Sequence, residues 1–357
     1  MKILISGICG FVGSTLADWL VSNVKNYQVF GFDNFSRPGS EVNLKRLRYL
    51  GVKVYHCDIR CQTDIDNLPK ADWVIDAAAN PSVTAGINNS EISSRQVVDH
   101  NLYGSINMLE YCKHHRAGFI LLSTSRVYSI APLANLELKV IDQAFQLDPT
   151  FPFVYGLDQL GVAESFSTQA PVSLYGATKI ASELMALEYG EVFQFPVWIN
   201  RCGVLAGKGQ FGRLDQGIFS YWINSWIQDS PLSYIGFDGK GHQVRDCLHP
   251  RDLGSVLCKQ MIEPESTDKP RTCNFAGGVA NSMSLLQLSN WCTERFRLKL
   301  VGHIPRSRPY DIPWMVLNSS LAKRIWDWVP ETSINETLEE IANHGEQHPE
   351  WLTLAAS

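Results

Sequence analysis

The first part of the chain, residues 1–24, limits the fold more than any other stretch. A short apolar run, KILIS (2–6), is followed at once by GICGFVG (7–13), in which Gly7, Gly10 and Gly13 are evenly spaced. STLADWLVSNV (14–24) then has apolar residues at helical spacing. This order predicts a buried strand, a tight turn and a helix whose N-terminus can face a pyrophosphate. A glycine turn of purely structural use is the alternative.

The stretches that follow extend this unit into a sheet. YQVFGFD (27–33) predicts a second strand ending in Asp33, where a carboxylate would bind the adenosine ribose hydroxyls and repel a 2′-phosphate. NAD is therefore favoured over NADP, although Arg37 leaves NADP open because an arginine could accept that phosphate. Further strands are predicted at 52–60, 71–79 and 118–128, with a helix around 101–115. The alternation predicts an α/β fold, a Rossmann-type doubly wound parallel sheet.

We expect two interleaved domains. Residues 1–200 would form the NAD-binding domain, and 201–357 a smaller α/β domain that mainly binds substrate. The stretch 129–172 lacks strong periodicity apart from the partly helical APLANLELKVIDQAF, and it is interpreted as a substrate-side insertion. Long connections of this kind are often functional lids.

Composition excludes several classes of protein. The 357-residue chain has a net charge of −5 and no strongly basic block, which argues against binding nucleic acid or a membrane surface by charge. No apolar run is long enough to span a membrane. The 9 cysteines are scattered without metal-ligand spacing, so no metal site is predicted and reduced thiols in a cytoplasm are expected.

VSLYGATKIA (172–181) places Tyr175 and Lys179 four residues apart, on one face of a helix predicted to continue over 178–190. Oxidation of an alcohol needs a base, and free tyrosine, with a pKa of about 10, is a poor one. A nearby ammonium and a positive nicotinamide would both favour the phenolate. Thr124, at the end of the fifth predicted strand, could align the substrate hydroxyl. An ordinary surface pair is the alternative for Tyr175 and Lys179.

The motifs GxxGxxG, DNFSR, DIR, STSRVY, YGATK and GKGHQVRDCLH (239–249) occur in this order. In this respect the chain resembles extended short-chain dehydrogenase/reductase enzymes, the nucleotide-sugar epimerases and dehydratases, over most of its length. GFDGKGHQVRDCLHPRDL, NFAGGVANSMSLLQL (274–288) and LDQG (214–217) are similar to a subgroup, the CDP-paratose (CDP-tyvelose) 2-epimerases. The resemblance implies NAD as cofactor, a nucleotide-sugar substrate, polysaccharide biosynthesis, and a homodimer or homotetramer.

The resemblance also implies site residues. Catalytic roles fall on Thr124, Tyr175 and Lys179, with Lys179 bonding the nicotinamide ribose. The predicted cofactor-binding residues are Gly7, Gly10, Phe11, Val12, Gly13, Asp33, Asn34, Ser36, Arg37, Asp58, Ile59, Ala77, Ala78, Ala79, Asn101, Tyr175 and Lys179. The predicted substrate-binding residues are Thr124, Ser125, Arg126, Gln216, Gln243, Arg245 and Arg308.

The pair Ser125-Arg126 bears on the reaction. Dehydratases of the family have Asp-Glu there, because eliminating water needs an acid and a base beside the sugar. Their absence favours redox epimerisation through a transient keto-sugar, with a CDP-sugar 2-epimerase as the leading hypothesis. A C4-epimerase or other redox enzyme acting on a UDP-, dTDP- or GDP-sugar is the alternative. A non-catalytic dinucleotide-binding protein is a further alternative from another class.

Several positions depart from the resemblance. The family often has histidine where this chain has Asp76, before the small residues of the fourth strand. Val172, Leu174 and Val204 stand where the subgroup has His, Pro and a polar residue. Because these changes fall where the sugar and phosphates should lie, the pocket could accept another sugar nucleotide.

Overall fold

The structure, a computed structural model, describes residues 1–37, 39–84, 93–213, 216–264, 269–306 and 308–356. Its strands are β1 (Lys2–Ser6), β2 (Gln28–Asp33), β3 (Lys53–His56), β4 (Trp73–Asp76), β5 (Gly118–Thr124), β6 (Leu138–Ile141), β7 (Ala144–Leu147), β8 (Leu157–Asp158), β9 (Gly161–Val162), β10 (Val197–Cys202), β11 (Ser233–Ile235), β12 (Val244–Asp246), β13 (Thr272–Phe275), β14 (Ser282–Ser284), β15 (Gly302–Ile304) and β16 (Trp314–Met315). Its α-helices are α1 (Phe11–Asn23), α2 (Glu41–Tyr49), α3 (Gln62–Asp66), α4 (Ser94–Val98), α5 (Gly104–His115), α6 (Ile130–Ala134), α7 (Ser173–Phe193), α8 (Ile218–Ile227), α9 (Leu253–Ile262), α10 (Leu285–Arg295), α11 (Ser320–Trp326), α12 (Ile334–Gln347) and α13 (Pro349–Ala356).

A seven-stranded parallel sheet, in the order β13-β10-β5-β4-β1-β2-β3, carries the fold. Ile3, Leu4 and Ile5 of its central strand are fully buried, as expected of a parallel strand covered by helices on both faces. The predicted doubly wound Rossmann-type sheet is confirmed. Strand order reverses beside β1, and ligands bind at the carboxyl ends of strands at such a switch point.

Residues beyond 200 contribute to more than one layer. β13 forms an edge of the parallel sheet, whereas β12, β14 and β16 form a separate three-stranded sheet, and β11 pairs with β15. The chain therefore passes between the large sheet and a smaller part more than once. Within the described residues, no helix combines the length and apolarity needed to cross a bilayer.

Some predicted boundaries were wrong. The third strand ends at His56 instead of residue 60, because the Asp58 amide donates to Asp64 Oδ2 (2.9 Å) and turns the chain. The helix predicted at 178–190 spans 173–193, so it includes Tyr175.

The insertion 129–172 is mostly not helical. α6 is short, and β6 and β7 form an antiparallel hairpin. That hairpin is fixed to the second part of the chain, since the Phe145 amide donates to His242 O (2.9 Å) and Ser284 Oγ donates to Gln143 O (2.8 Å). The insertion thus buttresses the smaller part of the fold.

A partly buried carboxylate, Glu340, gives a pH-dependent contribution to stability through its contacts with the segment before α9. Glu340 of α12 accepts from His249 Nε2 (3.1 Å) and from Arg251 Nη1 (2.6 Å). The His249 hydrogen bond is the main cause that lowers the pKa of Glu340 to about 2, while burial opposes it and the charge of Arg251 assists it. His249 therefore has structural partners in Glu340 and the Arg251 amide.

We expect Glu340→Gln to lower the free energy of unfolding by about 1.5–3 kcal/mol at pH 7, because a hydrogen-bonded charge is lost. A carboxyl whose pKa is depressed on folding stabilises the protein above its unfolded pKa of about 4.5, and that contribution is lost as pH falls towards 2. Urea unfolding from pH 7 to pH 3 should therefore show the two proteins converging. A difference that stays constant with pH would contradict this account.

Candidate active site

The glycine turn between β1 and α1 forms a cradle for a pyrophosphate. Gly7 has a φ of 62°, which favours glycine, and the Gly10 amide donates to Gly7 O (2.9 Å). Gly10 precedes the first turn of α1 without a side-chain cap, so the amide groups at that helix end can face an anion. Asp33, at the end of β2, accepts from the amides of Cys9 (3.0 Å) and Phe35 (2.9 Å).

Gly13 allows α1 to pack against this turn. A Cβ there would lie 2.4 Å from Gly7 O and 2.8 Å from Ile8 Cα, which are backbone atoms that cannot rotate away. At Gly10 the corresponding nearest atom, Gly7 O, is 3.1 Å away.

We expect Gly13→Ala to cost about 1–3 kcal/mol of stability, as overpacking does, and to weaken NAD binding because the cradle must deform. Gly10→Ala is the matched variant: it should weaken NAD binding by pushing the phosphates away while costing less stability. Calorimetric NAD titration and urea unfolding measure the two effects. Equal stability losses in both variants would contradict the assigned difference.

One cavity of about 430 Å³ joins the cradle to the smaller part of the fold. It is lined by nearly all the predicted site residues, from both halves of the chain: Gly7, Gly10, Phe11, Val12, Gly13, Asp33, Asn34, Ser36, Arg37, Ile59, Ala77, Ala78, Ala79, Thr124, Ser125, Arg126, Tyr175, Lys179, Gln216, Gln243, Arg245 and Arg308. The residues of the 129–172 insertion are not among its lining residues.

Asp58 and Asn101 do not line this cavity. The Asp58 carboxylate accepts from Asn34 Nδ2 (3.1 Å) and from Arg60 (2.6 Å), so it supports the loop that carries Asn34. Asn101 is buried behind the wall, where its side chain accepts from the Asn80 amide (2.7 Å) and donates to Thr178 Oγ1 (3.1 Å). Asn101 therefore ties α7 to the loop after β4.

Arg37 spans the cofactor end of the cavity. Its Nη1 donates to Gln216 Oε1 (2.9 Å) and its Nη2 to Phe211 O (2.7 Å). The sequence had left open whether Arg37 binds the 2′-phosphate of NADP. In the structure Arg37 instead links the loop after β2 to the segment that precedes α8, at the junction of the two halves.

Tyr175 and Thr124 meet at the carboxyl ends of the strands. The Tyr175 side chain is hydrogen-bonded to Thr124, and burial raises the pKa of Tyr175 to about 12, while that hydrogen bond and the charge of Arg126 oppose the rise. The sequence assigned the lowering of this pKa to Lys179. In the structure the charge of Arg126, a residue predicted only for substrate binding, also favours the phenolate.

Lys179 is almost fully buried, at 2% exposure. Burial lowers the pKa of Lys179, and the charges of Asp76 and Glu183 oppose this. Tyr175, Lys179 and Glu183 lie on successive turns of α7. A contact that holds Glu183 in place therefore also holds the helix turns that carry Tyr175 and Lys179.

A buried ion pair fixes Glu183. Arg201 of β10 donates to both carboxylate oxygens of Glu183, at 2.7 Å from Nη2 and 3.1 Å from Nε, and Ser123 Oγ donates at 2.5 Å. The two charged side chains are only 11% and 7% exposed. This pair fastens α7 to β5 and β10, the strands whose ends bear Thr124 and Cys202.

The far end of the cavity is cationic. Arg126, Arg245 and Arg308 line it together with Asp311, which lies 3.5 Å from Arg245 Nη2. Burial lowers the pKa of Arg245 to about 10, and the neighbouring charge of Arg126 adds to this, whereas Asp311 opposes it. Positive charges that repel one another in a buried wall form a site for an anion such as a diphosphate.

Sequence reasoning missed part of the wall. Cys202, Phe211, Phe219, Met283 and Tyr310 also line the cavity. Cys202 could have been found, since it ends a strand of the parallel sheet. The others come from loops, a helix and the short strand β14 of the smaller part, whose placement no local pattern indicates.

A dinucleotide cradle, a buried tyrosine at the strand ends and an anion site in one cavity define a nucleotide-dependent redox enzyme. The chain belongs to the NAD dependent epimerase/dehydratase family, whose family model matches residues 3–276. Its cofactor is NAD. The glycine turn fits this group, because its close-packed glycines leave no side chain between the helix end and a pyrophosphate, and the Asp33 carboxylate beside the turn would bind the ribose.

The chain is similar to known proteins over nearly the full length of each. CDP-paratose 2-epimerase from Salmonella typhi is 28% identical over 358 residues, covering 96% of this chain and 98% of that protein. UDP-glucuronate 4-epimerase from Thermodesulfobacterium geofontis is 25% identical, with 97% of each covered. Among solved structures, a mutant of UDP-glucuronic acid 4-epimerase from Bacillus cereus, in complex with a fluorinated UDP-sugar and NAD, has a TM-score of 0.78. It is 24% identical, covers 97% of this chain and 99% of its own, and shares the fold.

Proposed function

We propose that this protein is an NAD-dependent epimerase of a nucleotide-diphosphate sugar, acting through a transient keto-sugar. The observation that carries this proposal is the single cavity that joins the cradle, the Thr124–Tyr175 pair and the arginine cluster. NAD, when bound, supplies a reversible two-electron acceptor for the sugar carbon. Tyr175 takes the hydroxyl proton, and Thr124 aligns the hydroxyl beside it.

The carboxylates of the cavity support epimerisation over dehydration. Among the described lining residues the carboxylates are Asp33, at the ribose end, and Asp311, which is paired with Arg245. We assign neither of them as the acid or base that elimination of water would need, because Asp33 accepts from backbone amides and Asp311 is paired with Arg245. Ser125 and Arg126 follow Thr124, where dehydratases of the family have Asp-Glu.

We assign the substrate as a CDP-sugar of the CDP-paratose type, epimerised at C2. Arg126, Arg245 and Arg308 line one cavity and would bind the diphosphate. The similarity to CDP-paratose 2-epimerase over nearly the whole chain supports this choice of sugar nucleotide. The apolar side chains of Val204, Phe219 and Met283 line the same cavity and also favour a sugar with few hydroxyls.

The second candidate is a C4-epimerase acting on a UDP-, dTDP- or GDP-sugar. It is favoured by the similarity to UDP-glucuronate 4-epimerase, which extends over the whole chain. Both reactions use the same tyrosine, and they differ in which carbon of the sugar faces it.

The test is turnover of CDP-, UDP-, GDP- and dTDP-sugars by the purified protein, followed by isotope effects. A primary deuterium isotope effect with substrate labelled at C2, and none with label at C4, is the expected result. An effect at C4 alone would reject C2 epimerisation. Failure to bind NAD would reject the enzyme proposal and leave a protein of another class.

We also propose a cytoplasmic homodimer or homotetramer. All nine cysteines are free thiols, which suits a reducing compartment. Leu184, Val192 and Phe193 of α7 are exposed apolar residues on one helix, a feature of surfaces that pair with another copy. Sedimentation velocity on the purified chain tests this, and a monomer at micromolar concentration would reject it.

A further inference from the structure

Asp76 is a fully buried carboxylate to which the proposed reaction assigns no role. It ends β4, directly before the Ala77–Ala79 run that lines the cavity. Its two oxygens accept from Ser6 Oγ (2.6 Å) and Ser105 Oγ (2.7 Å). Ser6 Oγ in turn accepts from the amides of Ala77 and Ala78, both at 3.0 Å.

The two hydrogen-bond donors of Asp76 are neutral hydroxyls. Among the described residues, no Lys, Arg or His forms an ion pair with this carboxylate. Its negative charge therefore remains uncompensated by direct contact inside the protein, where charges interact more strongly than in water.

Lys179 lines the same cavity as the Ala77–Ala79 run that directly follows Asp76, and it is the cation on which this charge acts. Asp76 and Glu183 are the carboxylates that influence the Lys179 ammonium. Glu183 already has a counter-charge in Arg201 and a further hydrogen bond from Ser123. Asp76 is thus the carboxylate whose charge is available to Lys179 and to the cavity beside it.

We propose that Asp76 is a positioning residue whose negative charge stabilises oxidised NAD relative to NADH in the nicotinamide pocket. The oxidised nicotinamide is positive and must lie near Tyr175 and Lys179 for the proposed reaction, on which this inference rests. Two positive charges would repel each other there. A buried negative charge at Asp76 offsets that repulsion, and a histidine at the same position would not.

The experiment compares the Kd values for NAD and NADH, measured by calorimetry on the full-length protein freed of nucleotide. In Asp76→Asn we expect the ratio of Kd for NAD to Kd for NADH to rise about ten-fold, as for unit charges several ångströms apart in a protein interior. Asparagine preserves the shape, and the serine hydroxyls can donate or accept, so the network can stay satisfied.

Ser105→Ala is the matched control, since it removes a hydrogen bond from Asp76 but keeps the charge. Its ratio should equal that of the wild-type protein. If Asp76→Asn does not fold, Asp76→His at pH 8 replaces it, because histidine is common there in the family, and the same rise is expected. If Asp76 had only a structural role, its substitution would weaken the binding of NAD and of NADH by the same factor. Equal losses, or an unchanged ratio, would overturn the proposal.

The calorimetric measurement of NAD and NADH binding is independent of the nucleotide-sugar assay, because it contains no nucleotide sugar. A shifted ratio without turnover of any nucleotide sugar would contradict the proposed function alone. Turnover with an unchanged ratio would contradict the role of Asp76 alone. Binding of neither NAD nor NADH would overturn both.

Discussion

Replacing Tyr175 by phenylalanine should reduce kcat for the responsive nucleotide sugar by about 10²- to 10⁴-fold, while NAD still binds. The variant loses only the hydroxyl that meets Thr124 at the strand ends. Since burial raises the pKa of Tyr175 to about 12, the phenol is protonated in the protein alone, and proton removal depends on nearby positive charge. Steady-state kinetics with matched NAD titrations measure the effect.

Tyr111→Phe is the matched control. Tyr111 is also a buried tyrosine whose hydroxyl is hydrogen-bonded, donating to Pro69 O (2.5 Å), but it does not line the cavity. It should lose about 0.5–1.5 kcal/mol of stability and keep its kcat. If Tyr175→Phe turned over as fast as the wild-type protein, the assigned base would be wrong.

Breaking the buried ion pair behind α7 should have the largest effect on stability. We expect Glu183→Gln to lower the free energy of unfolding by about 3–5 kcal/mol, because it leaves Arg201 buried without its counter-charge. Urea unfolding at neutral pH measures this. Activity should fall as well, since Glu183 shares its helix with Tyr175 and Lys179.

Arg95→Ala is the comparison for that variant. Arg95 pairs with Asp99 at 2.7 Å, but its side chain is 75% exposed. Exposed pairs contribute about 0–1 kcal/mol, so this variant should remain close to the wild type. A loss below about 1 kcal/mol in Glu183→Gln would show that the buried pair does not hold α7.

The catalytic helix shows where sequence reasoning succeeds and where it ends. The four-residue spacing of Tyr175 and Lys179 predicted one helical face, and α7 carries both. The same reasoning assigned Lys179 to the phenol, which stays a prediction, and the structure adds the charge of Arg126 at Tyr175 and that of Asp76 at Lys179. Which charges act on a buried group depends on strands far apart in sequence, so local spacing does not reveal it.

The insertion 129–172 shows a second limit. Its weak periodicity suggested helix, yet Leu138–Ile141 and Ala144–Leu147 pair as a hairpin. The hairpin is fixed by contacts with His242, Ser284 and Gln287, over a hundred residues of chain away for the last two. Tertiary contacts therefore overrode local preference there.

The sequence alone determined the dinucleotide fold, because strand, glycine turn and helix are local patterns set by burial and by backbone geometry at Gly7 and Gly13. It also determined the Tyr175–Lys179 pair. Only the tertiary structure decided that Arg37 bonds Phe211 and Gln216, that Asn101 lies buried behind the cavity wall, and that the Asp76 carboxylate bonds Ser6 and Ser105. These contacts depend on which side chains, distant in sequence, meet in the low-dielectric interior. Only the packing of the parallel sheet against the smaller part of the fold determines which of them meet.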